Sequence, residues 1–137
     1  MVLLAGGKPK FVKCEEEHGF KLTPEKLKKA ITKKTKWLIL NSPSNPTGSG
    51  YTKQEILKLS KIILKKKKIL ILSDDIYEHV RYDNFKFFTI AQISKLKNRV
   101  LTMNGVSKSY AMTGWRIGYA AGPCLLYTSD AADEHSW

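Results

Sequence analysis

Cysteine is nearly missing from this chain of 137 residues. Cys14 and Cys124 are too few for a disulfide framework, and their spacing is no metal pattern. Histidine is scarce too: His18 and His79 have no partner at ligand spacing and are read as structural or exposed. No apolar run approaches the ~18 to 20 residues of a membrane span. The opening Met1-Val2-Leu3-Leu4-Ala5 is too short for a signal peptide and lacks a basic leader. A cytoplasmic protein with no membrane partner is the expectation. No internal repeat is visible.

Arginine is the scarcest cation. Arg81, Arg99 and Arg116 stand against 21 lysines, and the formal net charge is +12. Lysines crowd residues 26–36 and 61–68, ending in the run Lys65-Lys66-Lys67-Lys68. Clustered cations suit phosphate, but nucleic-acid readers add Arg for bidentate contacts and interleave aromatics. Neither cluster holds an Arg, and Trp37 is the only aromatic nearby. The lysines therefore read as solvated helix faces, with no nucleic-acid partner. Against these absences, 42% hydrophobic and 10% aromatic residues suffice to pack a core and exclude a disordered tail.

The last fourteen residues, 124–137, break with the rest: CLLYTSDAADEHSW has three acids and no Lys or Arg, and follows no helical or strand period. The string CLLYTSDAADE resembles the translation of a transposon-type sequencing adapter. Residues 124–137 are accordingly read as a non-native tail. Residues 1–123 then form one partial domain.

Within it, Lys10 to Cys14 is expected to be a short strand from its partly alternating apolar positions. Thr23-Pro24-Glu25 opens a helix: hydroxyl at the N-cap, Pro in the first turn, an acid on the positive end of the dipole. It should run to about residue 32 and bury Leu27 and Ile31. Trp37-Leu38-Ile39-Leu40 reads as a strand buried on both faces. A turn-rich loop, residues 41–48, follows it. Thr52-Lys53-Gln54-Glu55 is a capping box, and Ile56, Leu57, Leu59, Ile62, Ile63 and Leu64 give the next helix its apolar stripe. A second buried strand at residues 69–72 leads into Ser73-Asp74-Asp75-Ile76-Tyr77. A third, near residues 100–103, runs into Asn104-Gly105-Val106-Ser107-Lys108-Ser109, and a last one is expected near residues 115–121. Strands alternating with helices predict an α/β fold.

In an open α/β sheet, ligands bind beyond the carboxyl ends of the strands. There the chain places Asn45 after one strand, Asp74 and Tyr77 after the next, and Lys108 after the third. A partly desolvated lysine amine can attack a carbonyl. A carboxylate, a phenol and an amide around it would suit a charged aromatic cofactor. Each residue also has a plainer reading: Asn45-Pro46 as a turn, Asp74-Asp75 as a helix cap, Tyr77 as an edge aromatic, Lys108 as one lysine among many, Arg116 as a surface residue.

In order, LNSPSNPTG, SDDIYEHV and NGVSKSYAMTGWRIGYAAGP resemble the class I/II aminotransferases, fold-type I enzymes dependent on pyridoxal 5'-phosphate, and among them the bacterial aspartate aminotransferase group. The resemblance spans nearly all of residues 1–123. It implies the central part of the large cofactor-binding domain, a mostly parallel sheet flanked by helices. It implies that Lys108 holds the cofactor as an internal aldimine and then shuttles a proton. Asp74 would pair with the pyridine nitrogen, and Tyr77 and Asn45 would hydrogen-bond the phenolic oxygen. Arg116 would clamp the phosphate with a bidentate fork; Ser107 could assist. Two departures stand out: Gly105 occupies a place where the family often has a hydroxyl, and Asp75 one where many relatives have Glu.

The resemblance further implies that the phosphate loop and ring-stacking aromatic lie upstream, and the carboxylate-binding arginine downstream. The implied reaction moves an amino group between an L-amino acid, aspartate foremost, and 2-oxoglutarate, in a homodimeric parent. The fragment alone is expected to be inactive and, with bare sheet edges, poorly soluble. The alternatives are a same-fold enzyme for aromatic amino acids, prephenate or alanine, or an aminotransferase-like effector domain of a transcription regulator.

Overall fold

The computed structural model describes residues 2–124. Of the tail expected to be foreign, only Cys124 falls among them; 125–137 lie outside the described residues.

Helix α1 spans Pro24–Ala30, and Thr23 Oγ1 caps it by accepting the Lys26 N–H at 3.3 Å. It ends two residues earlier than the apolar spacing suggests, because Ile31 already takes an extended conformation (ψ 131°). Strand β1, Trp37–Asn41, follows, then helix α2, Lys53–Leu64. The capping box forms in full: Thr52 Oγ1 accepts the Glu55 N–H, and Glu55 Oε2 accepts the Thr52 N–H at 2.7 Å. At the other end of α2, the Arg99 guanidinium donates to the carbonyl oxygen of Ile63 in the last turn (3.5 Å) and to those of Lys66 (2.8 Å) and Ile69 (3.4 Å) just beyond it. A cation thereby meets the negative end of the helix dipole. The exposed run 65–68 adds four more cations there.

Strands β2 (Leu70–Asp74), β3 (Val100–Gly105) and β4 (Gly118–Ala121) complete a four-stranded sheet in the order β1-β2-β3-β4. The first three strands are parallel and β4 is antiparallel. The α/β class holds, with a mixed sheet. No α-helix joins β2 to β3; two 3-10 segments, Ile90–Gln92 and Ser94–Arg99, lie between them.

One face of the sheet carries the core. Ile56, Leu59 and Ile63 of α2 pack with Ile71, Ile90 and Leu96, all essentially removed from solvent. Burying each such side chain contributes roughly 1.5–3 kcal/mol. Register pairs Leu38 with Ile71 and Leu40 with Ser73, so these residues share the covered face.

Four sequence expectations need correction. Lys10 to Cys14 forms no strand: Val12 and Cys14 do lean on the core, but no ladder captures the segment among the described residues. Alternating burial without a partner strand yields only an extended segment. Trp37–Leu40 is not buried on both faces. Trp37 and Ile39 are 40% and 51% exposed, because β1 is the edge of this sheet and the helices cover the opposite side. In α2, Leu57 lies outside the apolar stripe and is exposed. The last strand is also shorter than expected: Thr113–Trp115 is a 3-10 turn, and Arg116 takes a left-handed conformation (φ 55°) that delays the extended run.

Candidate active site

Parallel pairing brings the ends of β1, β2 and β3 together. Asn41 is paired with Asp74, and Asp74 with Met103. The loop after β1 is tied to this edge through Asn41, whose Nδ2 donates to the Asp74 carbonyl (3.1 Å) and whose Oδ1 accepts the Asn45 N–H (3.3 Å). Farther along, Ser42 Oγ accepts the Tyr51 N–H (3.2 Å), and the Tyr51 hydroxyl accepts the Leu22 N–H (2.7 Å). Both ends of the loop that carries Asn45 are thus anchored. Asn41 had been legible only as a turn former; its position as the last strand residue before Ser-Pro is the signal that it faces the next strand.

Asp74 ends β2, and its Oδ1 accepts the Ile76 N–H at 3.3 Å. The following turn is closed by Glu78 N–H to Asp75 carbonyl at 2.9 Å and presents Tyr77. Asn45 Nδ2 donates to the Tyr77 hydroxyl at 3.4 Å, a long and weak bond. Lys108, in the loop after β3, lies with Nζ 6.0 Å from the centroid of the Tyr77 ring. Three segments therefore meet at one phenol. Lys108 itself is exposed, so the desolvation expected of it is not provided by these residues.

Ser107 is half-buried in the same loop, and Arg116 is exposed with its guanidinium 3.4 Å from the Thr113 carbonyl. No hydrogen bond links either of them to Asn45, Asp74, Tyr77 or Lys108 among the described residues. The neighbouring Ser109 has a buried Oγ without a hydrogen-bond partner among the described residues. A cleft of about 630 Å³ opens beside Asn45 and Tyr77, walled by Pro43, Arg81, Tyr82 and Phe85. The Phe85 ring closes one side so tightly that a Cβ built on Gly50 would come within 2.5 Å of it.

Two departures from the resemblance gain physical content. A Cβ at Gly105 would stand 3.0 Å from the Ile117 carbonyl and 3.2 Å from Ile76 Cδ1, so a hydroxyl side chain has little room there. Asp75 is buried: its N–H donates to the Met103 carbonyl (2.9 Å) and its Oδ1 accepts from Ser73 Oγ (2.7 Å). Burial pushes its carboxyl above the ordinary aspartate value, and hydrogen bonds from Thr89 and Ser73 offset only part of that. His18 and His79 are exposed beside Glu17 and Glu78 (3.5 and 3.3 Å). Among the described residues no cluster of three or more His, Cys, Asp or Glu could hold a metal ion, and no helix is long and apolar enough to cross a membrane.

Comparison with known proteins adds to this geometry. A family model described as aminotransferase class I and II matches residues 1–134. The aspartate/prephenate aminotransferase of Cereibacter sphaeroides is 59% identical over 127 residues, covering 92% of this chain and 32% of its own. A probable aspartate/prephenate aminotransferase of Rickettsia typhi is 58% identical over the same shares. The crystal structure of the aspartate aminotransferase from Rhizobium meliloti superposes with a TM-score of 0.92 at 51% identity, over 96% of this chain and 33% of that one. The chain spans about a third of the length of the curated relatives it matches.

Proposed function

The chain belongs to the class I and II aminotransferases, and from that premise we propose that it is the cofactor-holding part of a transaminase that moves an amino group from L-aspartate to 2-oxoglutarate. The observation that carries the reading is the meeting of Asn45, Tyr77 and Lys108: an amide 3.4 Å from the phenol, and an amine facing the same ring.

The residues present fit pyridoxal 5'-phosphate. A carboxylate, a phenol paired with an amide, and a lysine amine are the donor set such a ring needs, and the unpartnered buried Ser109 Oγ leaves one more donor nearby. When bound, that cofactor supplies an electron sink for the pair released at the substrate's α-carbon. Lys108 would hold the cofactor through Nζ and, once displaced by substrate, carry a proton to and from that carbon. The Asp74 carboxylate would keep the ring nitrogen protonated. Tyr77, oriented by Asn45, would donate from its hydroxyl to the ring oxygen. Arg116 would grip the phosphate with its planar fork, with Ser107 assisting.

The relatives' paired names favour prephenate as a second acceptor for the parent enzyme. The parent is proposed to act as a cytoplasmic homodimer. Residues 1–123 are proposed as part of its large domain and 124–137, on the composition break and the adapter-like string, as a foreign tail, although the family match runs to residue 134. Re-reading the source DNA across the Pro123 codon without a transposon adapter tests the tail; finding the same codons in the genome would overturn it. By itself the chain should bind the cofactor weakly and turn nothing over, since the substrate-side residues of such a site are outside it. Measurable transamination by the purified chain would refute that. For the main reading, the full-length parent is mixed with pyridoxal 5'-phosphate, reduced with borohydride and mapped by mass spectrometry. The label is expected on Lys108, and labelling that survives Lys108→Ala would overturn the assignment.

A further inference from the structure

We propose that Asn104 and Glu78 form a clamp that sets Lys108 against Tyr77, which makes both of them positioning residues for the reaction proposed above. The inference rests on that reading of the site.

Asn104 is the penultimate residue of β3 and uses both ends of its amide. Nδ2 donates to Glu78 Oε1 at 2.7 Å, and Oδ1 accepts the Gly105 N–H at 2.7 Å. Glu78 follows Tyr77 directly. The turn that presents Tyr77 is therefore tied to the end of β3 at two points. One is the backbone bond from Asp75 N–H to the Met103 carbonyl (2.9 Å); the other is the Glu78–Asn104 side-chain bond. Beyond Asn104, the loop to Lys108 is held by Val106 N–H to the Ile117 carbonyl (3.3 Å) and Ala111 N–H to the Lys108 carbonyl (3.3 Å). The clamp thus joins the element carrying the phenol to the element carrying the amine.

Its strength has a physical basis. A carboxylate accepting at 2.7 Å makes a charge-assisted bond, and both side chains are half-buried, which limits screening by water. Two other titratable groups stand close to Glu78: the His79 ring, with Nε2 3.3 Å from the same Oε1 on the exposed side, and the Asp75 carboxylate on the same turn. An error of about 1 Å between reacting groups can cost on the order of 100-fold in rate, so a bond that spans the two segments has leverage on the chemistry without touching it.

The test reverses the bond in the full-length parent. Asn104→Asp removes the donor and sets two carboxylates face to face. Adding Glu78→Gln restores one bond in the opposite direction, Gln amide to Asp carboxylate. Glu78→Ala removes the acceptor without a like-charge contact, which keeps the test open if Asn104→Asp fails to fold. Three quantities are read: kcat and KM, the absorbance spectrum of the lysine-bound cofactor, and hydrogen exchange of the amides of residues 105–110 in cofactor-free protein. Asn104→Asp and Glu78→Ala should each lower kcat about tenfold or more, with KM within about twofold, change the spectrum and speed the exchange. The double variant should recover all three. The clamp is overturned if the single variants match the wild type in these readouts, or if a folded double variant stays impaired. Should the wild type never attach the cofactor to Lys108, the proposed function has failed instead, and the exchange rates still decide the clamp.

Discussion

Tyr51→Phe tests the anchoring of the Asn45 loop. Tyr51 is 6% exposed, and its hydroxyl accepts the N–H of Leu22, itself 8% exposed, at 2.7 Å. Deleting the oxygen leaves that N–H buried without an acceptor, which costs about 1–3 kcal/mol. The phenol's own desolvation is recovered at the same time, so a net loss of about 1–2 kcal/mol at neutral pH is expected. The pH dependence is sharper. Burial pushes the Tyr51 hydroxyl from 10.0 up to about 12, against the lowering effect of the Leu22 N–H. A group whose folded value is raised contributes stability that is complete below its unfolded value and is lost as pH climbs through the folded one. Two pH units correspond to about 3 kcal/mol. Urea midpoints of wild type and Tyr51→Phe, compared from about pH 9 to about pH 12, should therefore converge, because only the wild type carries this loss. Taking the difference removes the lysines, which titrate in both proteins. Parallel curves across that range, or a variant as stable as the wild type at neutral pH, would refute the reasoning.

Two further substitutions probe the site's frame. Gly105→Ser should destabilise by about 1–3 kcal/mol, since its Cβ would press on Ile117 and Ile76; an unchanged thermal midpoint would show that β3 and β4 yield freely. Asp75→Asn should gain on the wild type as pH rises from the ordinary aspartate value of 3.8, because the raised folded value makes the charged form the costly one. Denaturation measured between acid and neutral pH checks this, and a constant difference would show that burial does not raise the carboxyl's folded value.

Much of the fold was legible because its signals are local. The Thr52 box, the Thr23-Pro24 start and the apolar run of β2 each specify their own element. Lys10 to Cys14 misled because alternation reports which side chains face the core, and a strand also needs a neighbour to pair with. Trp37 and Ile39 misled for the related reason that an apolar run states a capacity for burial, and the described residues leave both side chains exposed on that face. At the site, Asn45, Tyr77 and Lys108 were readable from motif order, and the structure brings them together. Arg116 and Ser107 were readable as motif members only; among the described residues no hydrogen bond joins them to the others. Asn41, Glu78 and Asn104 lie inside the quoted motifs, yet no role could be read for them there, since their work depends on which strand ends lie side by side.

Parallel pairing also has a temporal meaning. Asn41 and Asp74, joined across β1 and β2, are 33 residues apart in the chain, and Glu78 and Asn104 are separated by 26. No local hairpin can pre-assemble such contacts, and each requires a long loop to close first. During synthesis the Asn45–Tyr77 pair can form once β2 has emerged, whereas Lys108 comes into place only after β3 is added. The lysine proposed to hold the cofactor is thus installed last, on a frame the earlier strands have already squared.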